Sequence, residues 1–131
     1  VNVEAAPRGV LALWPEDGLL VHTNHFLDSE ALCVTEPPSE REEHSIHRLK
    51  RAHELLREKC PLALDDLREC LRDHEGYPYG ICRHIDEEEL PHERYQTVVS
   101  VLMDLHTRTL WISDGPPCES AYQELRLGLE A

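Results

Sequence analysis

Short apolar runs separated by turn residues open the chain. Residues 10–14 (VLALW) are continuously apolar, residues 15–18 (PEDG) read as a turn, and residues 19–23 (LLVHT) form a second run. The pair predicts a β-hairpin, and its poor alternation predicts strands covered on more than one side. Residues 35–39 (TEPPS) break the pattern and offer a helix cap. From 45 to 59, Ile46, Leu49, His53 and Leu56 recur at spacings of three and four, with Ala52 and Leu55 beside them. That is one stripe of an amphipathic helix, stopped by Pro61. Leu64, Leu67 and Leu71 mark a second, shorter helix, and residues 76–80 (GYPYG) a loop. Residues 80–94 (GICRHIDEEELPHER) hold a small apolar point, Ile81 and Cys82, and then an acidic stretch expected at the surface. Residues 97–105 (TVVSVLMDL) are a strand by β-branching, residues 106–108 a turn, and residues 109–113 (TLWIS) the returning strand. Residues 114–118 (DGPPC) make a rigid loop, and residues 122–129 are short and mixed. The order ββ–αα–ββ predicts a layered α+β arrangement over residues 1–131 as a single domain.

The charge narrows the choice of partner. Twenty-six acids face thirteen bases, a formal net charge of −13. A nucleic-acid partner wants a basic stripe, so that class is set aside. No stretch reaches the roughly 20 apolar residues of a membrane helix, and no signal peptide is visible. The chain begins at Val1 without an initiator Met, and it is expected to be a processed or excised piece. Five cysteines, at 33, 60, 70, 82 and 118, form no CxxC pair. They read as mostly buried, reduced thiols of a cytoplasmic protein.

Few reaction motifs survive inspection. There is no GxSxG elbow and no phosphate-binding glycine loop. His22 and His25 resemble an H-x-x-H pair, but on a strand residues three apart point to opposite faces. No metal ligand is therefore assigned. One position stands out: Asn24, in the stretch VHTNHF, is a neutral amide at the end of an apolar run. It reads either as a structural asparagine bonded to a nearby turn or as an N–H donor aimed at a developing oxyanion.

Three stretches, LLVHTNHF (19–26), YPYGICRH (77–84) and QTVVSVLMDLHTRTLWISDGPP (96–117), occur in an order that bears on this choice. Together with the helical pair between the first two, they resemble the isopenicillin N acyltransferase family. This is the acyl-coenzyme A:6-aminopenicillanic acid acyltransferase group of N-terminal-nucleophile hydrolases. The resemblance implies part of a four-layer αββα sandwich and a precursor that cuts itself before a cysteine. The cysteine thiolate then attacks an acyl group, with its own α-amine as base, a role that an α-amine titrating near ~8 can fill.

Carried over, the resemblance makes Asn24 the oxyanion-hole donor. Arg83 becomes an arginine that orients substrate or catalytic groups, although a surface ion pair with the acids at 86–89 is an alternative. His22 and His25 become supports for the strand end. None of the five cysteines sits where the nucleophile belongs. The chain is therefore expected to be the C-terminal segment of a longer amidohydrolase or acyltransferase, inactive alone. Its partners would be the N-terminal part of the same polypeptide and a small amide or acyl-thioester substrate. No cofactor is implied, with acyl-coenzyme A as a candidate substrate, and unpaired sheet edges could pair with a second copy. The alternatives are a non-catalytic acidic α+β interaction domain and a metal-binding module built on the histidines.

Overall fold

In the computed structural model, described for residues 1–35, 37–59, 61–126 and 128, the first hairpin forms one strand earlier than expected. β1 (Asn2–Ala6) pairs antiparallel with β2 (Gly9–Leu13), with Glu4 opposite Leu11. Residues 19–23 are not a strand; residues 16 and 19 make only an isolated bridge closing the PEDG turn. The hairpin is also one-sided. Val3 and Val10 lie 54% and 70% exposed, while Glu4 faces inward at 4%.

Ser39 caps α1 (Glu40–Leu56), its hydroxyl accepting from the Glu42 N–H at 3.2 Å. Glu40, Glu42 and Glu43 follow in the first turn, where the helix dipole favours negative charge. The helix ends at Leu56, before Pro61 can act. Its buried residues are Ser45, Ala52 and Leu56. The predicted stripe is thus shifted: Ser45 stands where Ile46 was expected, and His53 is exposed.

The chain divides into two units, Val1–Pro61 and Leu62–Ala131. In the second, α2 (Leu64–Leu71) is followed by β3 (Val99–Asp104), β4 (Thr109–Asp114) and β5 (Gln123–Arg126). They form one antiparallel sheet in the order β3–β4–β5. Ser100 pairs with Ser113 and Leu102 with Trp111 in the β3–β4 register. Alternation along β3 is clean, with Ser100 and Leu102 buried between exposed Val99, Val101 and Met103. Arg68 of α2 lies 6.0 Å over the Trp111 ring and 5.6 Å over Tyr122. The order ββ–αα–ββ holds, extended by β5, in an α+β chain consistent with part of an αββα sandwich. Among the described residues no helix is long and apolar enough to cross a membrane.

Gly80 explains how the loop after α2 folds back. A Cβ there would sit 2.8 Å from the Glu75 carbonyl oxygen and 3.3 Å from the His74 carbonyl carbon, both backbone atoms. Neither can swing away as a side-chain end would. Gly80→Ala is expected to destabilise the protein by about 1–3 kcal/mol through overpacking, read as a lower thermal midpoint. An unchanged midpoint would mean that the backbone at 73–75 yields freely.

Candidate functional site

The segment 21–27, free of any strand, is tied down by side chains. Ser45 of α1 is fully buried and serves as the anchor. The Asn24 backbone N–H donates to Ser45 Oγ at 2.7 Å. The same hydroxyl bonds His25 Nδ1 at 2.9 Å, and Thr23 Oγ1 donates to the Ser45 carbonyl at 3.0 Å. From the hairpin side, Glu4 Oε1 takes the Leu27 N–H at 2.7 Å and His22 Nε2 at 2.8 Å. His22 and His25 therefore diverge to different partners.

Glu4 carries the electrostatics of this corner. Burial by itself would push its carboxyl up, but the Leu27 N–H, the His22 imidazole and the Asp28 N–H outweigh it and hold the pKa below the ordinary 4.5. Its Oε2 is buried without a hydrogen-bond partner among the described residues.

Asn24 is exposed, and its side chain is oriented. Arg48 Nη2, reaching from α1, donates to Asn24 Oδ1 at 2.8 Å. A guanidinium can only donate, so the carbonyl end of the amide must face it. The Nδ2 donor is left without a partner among the described residues. Asn24 lines a cleft of about 280 Å³ together with Glu4, His22, Thr23, His25 and Phe26.

Arg83 belongs to the second unit and does pair with an acid of the 86–89 stretch, Glu89 at 4.0 Å, but from a buried position rather than at the surface. It is 9% exposed, with its guanidinium 3.6 Å from the Tyr95 ring centroid and 4.7 Å from that of Tyr79. Its Nε donates to the Tyr95 carbonyl at 3.4 Å. The acidic stretch is only partly solvated. Asp86 and Glu89 both accept from the Tyr79 hydroxyl. That bond to Asp86 raises the phenol's pKa and lowers the carboxyl's.

The cysteines divide evenly. Cys70 and Cys82 are buried, Cys33 and Cys118 exposed, and Cys60 lies outside the described residues. Burial pushes the Cys82 thiol up to about 11, with Cys118 adding to it. A thiol so placed is a poor nucleophile at neutral pH. Four side chains of the second unit, His74, Cys82, His84 and Cys118, bring potential metal-ligating atoms within 4.8 Å of one another. Their only local trace in the sequence is C-x-H at 82–84, the other two lying outside it. Ser45, Arg48 and Glu4 were equally invisible, since nothing local marks a helix serine or a strand glutamate as loop anchors.

The family model for acyl-coenzyme A:6-aminopenicillanic acid acyl-transferase matches residues 2–118. The chain belongs to this family. The match takes in the hairpin, the Asn24 segment, both helices and the β3–β4 pair, so the expected kinship holds at the family level. A search of curated proteins returns no significant match.

Proposed function

We propose that this chain supplies the oxyanion donor of an acyl-transferring or amide-hydrolysing enzyme whose cysteine nucleophile lies outside these 131 residues. The observation that carries the reading is the Arg48–Asn24 bond at 2.8 Å, which leaves the amide N–H as a fixed donor in a cleft. Family membership supplies the reaction class. In this reading an N-terminal cysteine thiolate adds to the acyl carbonyl carbon, and the carbonyl π electrons move onto oxygen. Asn24 Nδ2–H donates to that oxyanion. Collapse expels a thiolate or an amine, which takes the proton held by the cysteine's α-amine. Water or an amine then releases the acyl group from the enzyme. Arg83, stacked between two tyrosine rings, acts by ordering the groups around it rather than by meeting substrate.

The test is covalent trapping. The full-length protein is incubated with an acyl-coenzyme A or an activated amide and its intact mass is followed. The expected result is one acyl adduct on an N-terminal cysteine, with release of the leaving group. A protein that shows neither adduct nor release with both probes sinks the proposal.

A further inference from the structure

The second unit holds a group of side chains unrelated to acyl transfer. His74 follows α2, Cys82 and His84 follow the GYPYG loop, and Cys118 ends the loop after β4. Their ligating atoms converge. His74 Nε2 and His84 Nε2 are 3.0 Å apart, and the sulfurs of Cys82 and Cys118 are 3.4 Å apart. His84 Nε2 lies 3.3 Å from Cys118 Sγ and 3.7 Å from Cys82 Sγ.

We propose that His74, Cys82, His84 and Cys118 form a tetrahedral binding site for Zn²⁺ or a similar thiophilic divalent cation. Zn–S bonds of about 2.3 Å and Zn–N bonds of about 2.0–2.1 Å set tetrahedral edges near ~3.8 Å for S–S, ~3.3 Å for N–N and ~3.5 Å for S–N. Four of the six edges, those given above, fall within about 0.4 Å of these values, and the two between His74 and the sulfurs lie within 4.8 Å. Hydrogen bonding accounts for the cluster less well. A ring nitrogen has one proton or one lone pair, yet His84 Nε2 faces three partners. A disulfide would join the two sulfurs only after closing from 3.4 Å to about 2.05 Å, and would leave both imidazoles unexplained.

The surroundings fit a metal ligand set. His84 Nδ1 faces Glu119 Oε1 at 3.5 Å, the carboxylate-to-imidazole contact that fixes a ligating ring. Two thiols and two imidazoles make a tetrahedral S₂N₂ set, which selects zinc over magnesium or calcium. On binding, the two thiol protons pass to solvent and the imidazoles coordinate through their Nε2 lone pairs. The dication and two thiolates then sum to zero charge. Four protein ligands close the coordination shell, so the ion would act as a structural clamp. It would tie the turn after α2, the segment carrying Arg83 and the loop after β4 into one body.

The full-length protein, purified anaerobically with reductant and without chelator, is expected to carry one zinc per chain by elemental analysis. Stripped and reloaded with Co²⁺, it should show the visible bands of tetrahedral, thiolate-bound cobalt. His74 and Cys118 are exposed, so His74→Ala and Cys118→Ser can be made with little risk to the core. Each should weaken cobalt binding by tenfold or more, and Glu119→Gln by about 10- to 100-fold, with circular dichroism unchanged. Failure of the unaltered, reduced protein to take up Zn²⁺ or Co²⁺ would overturn the site. So would equal uptake by both ligand variants, or a Cys82–Cys118 disulfide persisting under reductant.

Discussion

Asn24→Ala in the full-length enzyme is expected to lower kcat by about 100- to 1000-fold, the usual cost of removing one oxyanion-hole donor. KM should move little, because the developing oxyanion gains more from the N–H than the ground-state carbonyl does. Two companion variants separate donation from scaffolding. Asn24→Asp keeps an acceptor for Arg48 but removes the donor, and should be at least as damaging as alanine. Arg48→Ala leaves the donor but frees the amide to turn, and about a tenfold loss is expected, of the order of one charge-assisted hydrogen bond. Neither change at position 24 disturbs the backbone bond to Ser45 Oγ, so folding should persist. A loss below threefold in both Asn24 variants removes this residue from the mechanism.

Glu4 gives the second large effect, on stability. Its carboxylate accepts the Leu27 N–H and the His22 imidazole from a nearly fully buried position. Glu4→Ala strands that N–H and is expected to cost about 1–3 kcal/mol near neutral pH. The pH dependence follows from the lowered folded-state pKa. Below the ordinary value the unfolded chain binds the proton more readily than the folded one, so stability rises with pH there. The contribution is complete above 4.5 and is lost as pH falls through the folded pKa. Hydrogen exchange at the Leu27 amide, corrected for the intrinsic rate, should show protection falling with acidification in the parent. Glu4→Gln, which keeps an acceptor oxygen but cannot ionise, should flatten that dependence. Parallel curves for the two proteins would remove Glu4 as the acid-sensitive group.

The second unit was the more legible in sequence. β3 and β4 declare themselves through residues 97–113 because the run is rich in β-branched residues and broken by one short turn, and the spacing of Leu64, Leu67 and Leu71 marks the helix. The first hairpin misled for a physical reason. Its inward position on β1 is Glu4 while Val3 faces out, so an apolar-in pattern shifts the strands onto the next apolar run. Asn24 was visible as an oddity, but the pieces that aim it were not. Ser45 and Arg48 lie on a helix more than twenty residues away, where periodicity reports which face is buried but not which loop that face holds. The same limit hid the His74–Cys118 cluster. Its four side chains come from three segments that only the folded loop brings together, and Gly80 is one reason the loop can fold so tightly.

The Arg48–Asn24 bond also bears on inhibitor chemistry. Because Arg48 already bonds the carbonyl end of the amide, a compound that offers Asn24 a donor must share that oxygen with a cation. In the proposed reading, one that presents an anionic or tetrahedral oxygen meets an amide donor that Arg48 orients. Boronic acids and trifluoromethyl ketone hydrates, built on the acyl group the enzyme prefers, are the chemotypes that this geometry favours.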